Sequence, residues 1–496
     1  MEKSNSKFRK TFKNFKKLLI FFSLVFILSP FYFKIFKSES KIFNLSLLSK
    51  KELERITFKA SQSGIVFDPW LNGFPYRRAI GVTNSGSALS NYQVLVTLDT
   101  SSLISAGKMR SDCGDIRFTD SDGITQLNYW IESGCNSAST KIWTKIPSIP
   151  TGSKTIYLYY GNLNASSASN FSATFPNSYI LSSGSATLSA GNLNYDWFET
   201  ASGTTLYTPS GNTSIINARV IKIAGTINGT GRGYGAGSGP GAGGRGGRGG
   251  GYGGTGGCPG YRCSCSGGGT YGTQSGTDIS VGSGGGNSCC SPGGSGGGGI
   301  GLIGSRIVRI SGTIYMNGTN GASCNCNAAG GGSGGGILIQ GMEVNLSGAI
   351  LQANGGNGGS DTYDDRYSGF YECGGGGGAG GRIKIFYSSS YSAPSSISVS
   401  GGAGGRGYGG GNGSYGQTGT TYTGTFSSPE PTTTVGAEDI LITQAGSPAS
   451  WSWKIPGQGE KIRSGGVASW IWKTFTNDGT GLTLPRGSAT NWTWQP

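Results

Sequence analysis

The chain has 496 residues, 95 of them glycine and none histidine, and a formal net charge of +15. Its length accommodates three or four domains, and the absence of histidine removes the usual general base, the standard nucleophile triads and most zinc catalysis. The charge is concentrated in residues 1–55, which carry 13 Lys and Arg against 4 acids. That distribution argues against a nucleic-acid-binding surface over the rest of the chain.

The leader accounts for the charge. Lys3, Lys7, Arg9, Lys10, Lys13, Lys16 and Lys17 precede an uncharged apolar run from Leu18 to Phe33. Basic residues before an apolar core suit a secretory signal or a signal anchor. As a helix this run rises about 24 Å, a little short of a hydrocarbon core of about 30 Å. Residues 1–37 are therefore expected to be a signal peptide or membrane anchor, and 38–67 a linker. The rest should be extracellular or at the cell surface, secreted or held to the membrane by the leader.

In an exported chain an even number of cysteines implies disulfides. Cys113 and Cys135 stand apart and are expected to pair. The other candidates, Cys258, Cys263, Cys265, Cys289, Cys290, Cys324, Cys326 and Cys373, lie in the glycine-rich region, with pairing open. The rival reading is an all-Cys metal site, but C-x-C spacings are not those of a zinc knuckle.

From Trp70 the chain turns to short alternating runs: Tyr92 to Leu98, Ile116-Arg-Phe118, Tyr129-Trp-Ile131, Lys141-Ile-Trp143 and Thr155 to Tyr159. Turn signals such as Asp122-Gly123 and Thr151-Gly152 separate them. Strands at this spacing with no helical period predict an antiparallel β-sandwich over residues 68–165. The run Trp70-Leu-Asn-Gly-Phe-Pro-Tyr-Arg-Arg78, then Ala106-Gly-Lys-Met109, Asp112-Cys-Gly-Asp-Ile-Arg-Phe-Thr-Asp120 and Ile156-Tyr-Leu-Tyr-Tyr-Gly-Asn162 carry a resemblance. This stretch resembles a β-sandwich domain of unknown function that precedes concanavalin A-like lectin modules in archaeal and bacterial surface proteins. The resemblance implies an exported multidomain protein and no particular reaction. No lectin-like module is recognisable after it.

One phrase then recurs between glycine tracts. Ile221-Lys-Ile-Ala-Gly-Thr-Ile227-Asn-Gly229 returns as Val308-Arg-Ile-Ser-Gly-Thr-Ile314 and as Val344-Asn-Leu-Ser-Gly-Ala-Ile350, and in worn form as Ile397-Ser-Val-Ser-Gly401. Repeated half-buried strands mark a repeat architecture in which each unit covers its neighbour. A parallel β-helix or related solenoid is expected over residues 175–430, with Ile223, Ile227, Ile310, Ile314, Leu346 and Ile350 pointing inward. The competing reading is a disordered glycine-rich linker. For residues 231–257 disorder and polyglycine-type packing both remain open.

Residues 435–496 carry Trp451-Ser-Trp453, Trp470-Ile-Trp472 and Trp492-Thr-Trp494. Positions i and i+2 of a strand share a face, so a small Trp-rich β module is expected. Its indoles serve as a core or as a glycan-stacking platform. The expected class is all-β: an antiparallel β-sandwich, a Gly-rich parallel β-helix or solenoid, and the Trp-rich module.

Two acidic clusters bear on chemistry. Asp112, Asp115, Asp120 and Asp122 include a fragment of a calcium-loop pattern, without its later ligands; a polar turn is the plainer reading. Asp361, Asp364, Asp365 and Glu372 would suit hydrolysis only at a suitable separation, which the sequence does not fix. Arg232, Tyr234, Arg245, Arg248 and Tyr252 imitate a nucleic-acid-binding segment, but behind an export leader they read as a surface loop. The expectation is a non-enzymatic structural or adhesion protein without a cofactor, Ca2+ being the one candidate ion. Its partners would be cell-envelope components or glycans, with self-association and no nucleic acid. The alternative is a polysaccharide-binding surface protein, with glycan-processing activity weak or lost.

Overall fold

The computed structural model describes residues 70–260, 266–325, 327–362, 373–408 and 411–440, and four short strands beyond them. The described residues are nearly all β, in antiparallel and parallel sheets. Two short helices, α1 (Thr100–Ser105) and α2 (Phe171–Thr174), are capped by the side chains of Asp99 and Asn170.

The first unit is built from β1 (Tyr76–Asn84), β2 (Leu89–Leu98), β3 (Arg117–Thr119), β4 (Gln126–Leu127), β5 (Tyr129–Ser133), β6 (Thr140–Ile149) and β7 (Gly152–Tyr160). Alternation along these strands puts Ile80, Val82, Val94, Val96, Phe118, Ile142 and Ile156 into one core between two antiparallel sheets. One sheet is ordered β2-β6-β5. The other runs β22-β1-β7-β3-β4, and its edge strand β22 (Thr432–Ile440) arrives from the far side of the glycine-rich segment. The sequence pattern assigns residues 435–440 to the Trp-rich module and 432–434 to neither domain. Their Thr-Thr-Thr-Val alternation pairs antiparallel with β1, Tyr76 against Ile440 and Thr83 against Thr432.

After α2 come β8 (Ser178–Leu181), β9 (Ser185–Thr187), β10 (Gly191–Asn194), β11 (Trp197–Thr200), β12 (Thr205–Tyr207), β13 (Thr213–Ile223) and β14 (Thr226–Asn228). They are followed by β15 (Gly299–Ile310), β16 (Thr313–Tyr315), β17 (Gly336–Asn345), β18 (Ile350–Gln352), β19 (Arg382–Ser392), β20 (Ser396–Ser398) and β21 (Thr420–Thr425). Longer strands stack as a parallel sheet in the order β21-β19-β17-β15-β13-β11-β8, with β10 also on β13, and short ones as a second parallel sheet, β20-β18-β16-β14-β12-β9. Ile223, Ile227, Ile310, Ile314 and Leu346 are buried in the core that the two sheets share.

Ile350 is not. Register places Leu351 opposite Ile314 and leaves Ile350 opposite Thr313, half-exposed. The cause is Gly348, at φ +88°, where the turn closed by Ala349 N–H on the Leu346 carbonyl adds one residue before the strand.

The glycine tracts form a third layer. Gly374, Gly375 and Gly376 donate to three different segments, at Gly411 (3.2 Å), Gly359 (2.9 Å) and Gly247 (2.8 Å). Three residues on, Gly377, Gly378 and Ala379 repeat the pattern on Ser414, Gly356 and Gly250. A three-residue repeat with every bond leaving the segment is the signature of extended threefold helices, which make no internal hydrogen bonds. Residues 373–381 are buried throughout, so the absent side chains are what allow this approach. A Cβ on Gly378 would overlap the Gly332 carbonyl oxygen. Gly231–Gly257, left open by the sequence, belongs to this layer through Gly247, Gly250 and Gly253.

Asparagine and serine fasten its edge. Asn317 and Asn320 accept from the backbone N–H of Asn354 and Asn357, which in turn accept from Ser400 and Ala403, all at 2.8 Å. Ser323 and Ser360 continue the ladder onto Ser360 and Arg406.

Beyond β22 the described pieces are β23 (Ser469–Trp470), β24 (Lys473–Phe475), β25 (Gly481–Thr483) and β26 (Gly487–Ser488), paired antiparallel as β23 with β26 and β24 with β25.

Candidate functional site

One end of the outer face of the long-stranded parallel sheet is covered by the antiparallel unit. Trp143 of β6, Phe175, Trp197 of β11, Val220 of β13 and Ile307 of β15 form a separate apolar cluster at this junction. Trp130 stands edge-on to Trp197, with centroids 5.4 Å apart. Register irregularities fall at one level in β13, β15 and β17. Such bulges re-aim side chains, and here Val220 turns outward to the junction while the adjacent Ile221 enters the sheet core.

Glu132 stands at the centre of the junction. One of its oxygens accepts from Lys222 (2.9 Å) and Arg309 (3.0 Å), the other from the Trp143 indole (2.8 Å). Burial alone would raise this carboxyl, but the hydrogen bonds from Lys222 and Trp143 and the charges of Lys222 and Arg309 outweigh it. They hold it below the usual carboxylate range. Nearby, the Arg219 guanidinium lies 3.5 Å from the Tyr92 ring centre. Burial, with the charge of Glu430 adding to it, pushes the Tyr92 phenol up.

Cover ends at β15. Beyond it a cleft of about 410 Å³ opens between the β5–β6 edge and the parallel sheet. Two outward ladders make its floor: Ile307, Glu343 and Ser390 in register on β15, β17 and β19, and beside them Arg309, Asn345 and Ser392. Ser133 and Lys141 supply the wall. Glu343 is paired with Arg306 at 2.9 Å, whereas Lys141 has no acidic partner among the described residues. The arrangement presents hydroxyls, an amide and cations to the cleft. Both carboxylates, Glu132 and Glu343, are committed to ion pairs.

The predicted site residues fall elsewhere. Cys113 and Cys135 form a disulfide, as do Cys290 and Cys324, and none of the described cysteines is free. Cys289, Cys290 and Cys324 bring three sulfurs together, but the Cys290–Cys324 bond leaves no thiolate pair for a metal. Cys258, Cys289 and Cys373 are also disulfide-bonded, and Cys263, Cys265 and Cys326 lie outside the described residues. The four carboxylates offered for calcium have separate local partners. Asp112 takes a two-pronged bond from Arg110, Asp115 accepts from the N–H of Arg110 and Gly161, Asp120 pairs with Lys154, and Asp122 closes a turn onto Ile124 and Thr125. Hydrogen bonds from Arg110 and Thr125 hold Asp112 and Asp122 below the usual range.

Of the second acidic cluster Asp361 is described, and it is buried; Asp364, Asp365 and Glu372 lie outside the described residues. Arg232 donates to the Thr208 carbonyl and lies over Tyr207, and Tyr252 is buried, so this Arg and Tyr segment is part of the stack. Trp451, Trp453, Trp472, Trp492 and Trp494 lie outside the described residues, and Trp470 is placed only as a backbone partner of Gly487. The leader also lies outside them. Among the described residues no helix is long and apolar enough to cross a membrane.

Sequence reasoning missed the cleft because its floor is assembled from strands 36 and more residues apart. The visible signal was the outward cation between two inward apolar residues in Ile221-Lys-Ile223 and Val308-Arg-Ile310 of the repeated phrase.

Residues 112–208 match a family described as a domain of unknown function, DUF2341. The matched segment begins inside the antiparallel unit and ends past β12, so it takes in Trp143, Phe175 and Trp197 of the junction cluster and the first strands of the parallel sheets. No curated protein and no solved structure matches the chain.

Proposed function

We propose that the chain is a non-enzymatic, exported surface protein whose strands and glycine helices form a β-solenoid that carries the antiparallel unit and holds binding surfaces away from the cell. The observation that supports this reading best is the glycine layer. Gly374, Gly375 and Gly376 each tie the same segment to a different neighbour, giving a laterally cross-linked body from residues that would otherwise make a flexible linker. Disulfides and the asparagine ladder add constraint of the kind that suits an oxidising exterior. The committed acids and the absence of histidine favour presentation over catalysis.

Antibody raised against residues 70–440 and applied to intact cells tests this. Labelling without permeabilisation is the expected result, and labelling only after permeabilisation rejects the surface role. The second reading, glycan binding, draws on the hydroxyl- and amide-lined cleft; retention on immobilised polysaccharide tests it independently of location.

A further inference from the structure

We infer that the cleft between the β5–β6 edge and the outer face of β15, β17 and β19 is a binding site for a carboxylated sugar, a uronate residue of an acidic glycan. This deepens the glycan-binding reading and rests on it.

Charge makes the first part of the argument. In and beside the cleft stand Lys141, Lys222, Arg306 and Arg309 against Glu132, Glu343 and Glu199, which lies opposite Lys222 in register. Glu343 is matched by Arg306, and the single charge of Glu132 is divided between Lys222 and Arg309. One positive charge is left over, that of Lys141, once Glu199 is set against the pair on Glu132. A cleft with low-dielectric walls and surplus cation favours an anion.

The neutral groups decide which kind of anion. Ser133, Asn345, Ser390 and Ser392 are exposed and face the same space. Three hydroxyls and an amide offer both donors and acceptors, the requirement of a polyol rather than of a bare inorganic ion. The accessible lining is polar, since Ile307 and Val344 beneath it are buried in the junction cluster and in the sheet core. The volume, about 410 Å³, lies toward the lower end of the roughly 300–1,000 Å³ of small-ligand sites. Neighbouring strands of a sheet are about 4.8 Å apart, so equivalent groups on β15, β17 and β19 meet successive parts of one ligand.

Calorimetric titration of the full chain with an oligogalacturonide tests the assignment. Saturable binding is expected, weakened about tenfold by Lys141→Ala, the loss of one charge-assisted hydrogen bond. Ser390→Asp, at an exposed position, should weaken it further by repulsion. Raising the salt should weaken it too, because the screening length falls from about 10 Å at 0.1 M to about 3 Å at 1 M. A neutral oligogalactoside should bind more weakly and be indifferent to Lys141→Ala. Absence of oligogalacturonide binding, or binding that both variants leave unchanged, overturns the assignment. Equal affinity for inorganic phosphate and the uronide overturns its sugar part. Failure here leaves the location of the chain to the antibody experiment, and a chain that binds the uronide yet is not labelled on intact cells would reject only the surface role.

Discussion

The hydroxyl of Thr433 donates to the backbone carbonyl of Leu95 at 2.8 Å, joining residues 338 positions apart. Leu95 belongs to β2 in one sheet of the antiparallel unit and Thr433 to the edge strand of the other. The unit is therefore completed only after the chain has passed through the whole glycine-rich stack and returned. Further on, Glu438 of β22 accepts from Lys108 and Tyr160, and Asp439 pairs with Arg77.

Removing those contacts should loosen the first unit although they lie far along the chain. Glu438→Ala is expected to cost about 1–3 kcal/mol, the range for lost charge-assisted hydrogen bonds at a partly buried site. Chemical denaturation of the full chain measures this, and an unchanged midpoint would mean that β22 is a loosely held edge.

Lowering the pH should destabilise the chain through Glu132 and Glu438. Burial opposes ionisation of Glu438, but hydrogen bonds from Lys108 and Tyr160 and the charges of Lys108 and Arg78 prevail and lower its titration. Glu132 is lowered for the same kind of reason. A folded value below the unfolded one, about 4.3 for glutamate, gives stability that is complete above that value and is lost as pH falls through the folded value. Melting temperature should hold steady down to about pH 5 and fall below about pH 4, with a shallower fall in Glu132→Gln. Rising stability over that acid range contradicts the ion-pair account.

Core and surface positions of the repeat separate cleanly. Ile314→Ala and Leu351→Ala, both fully buried, should each cost about 2–5 kcal/mol. Ile350→Ala, on the outer face of the same strand as Leu351, should cost less than about 1 kcal/mol. Equal losses at 350 and 351 would put the register in error.

That one-residue displacement shows what the sequence could and could not disclose. Alternation made the strands legible, and the recurrent phrase aligned Ile223 with Ile310 and Ile227 with Ile314 as the parallel register does. The extra residue in the turn at Gly348 broke the analogy, because a positive-φ turn changes length without changing composition. Return of β22 to β1 was illegible for a different reason: edge pairing between residues so far apart leaves no local period. The glycine layer was half legible. Asn317-Gly-Thr-Asn320-Gly-Ala-Ser323 and Asn354-Gly-Gly-Asn357-Gly-Gly-Ser360 share a three-residue period that announces threefold helices, and the glycine content alone hides it. The cleft was least legible, since its residues meet only through stacking.

Glycine positions offer a sharp contrast. Gly378→Ala drives a methyl group into the Gly332 carbonyl, backbone that no rotamer change can move aside, whereas a Cβ on Gly269 meets nothing. Overpacking of this kind costs about 1–3 kcal/mol or more, while Gly269→Ala should be neutral or slightly stabilising. Thermal unfolding of the two variants in parallel decides the matter, and indistinguishable curves would mean that the glycine segments are not packed.

Amide hydrogen exchange across residues 373–381 tests the central claim most directly. The account predicts protection comparable with β15 and β17, since each N–H from Gly374 to Gly381 is itself buried and has a backbone carbonyl partner on another segment. Exchange at the rate of an unstructured chain, alongside protected strands on either side, would contradict it and return the glycine tracts to the role of flexible linkers.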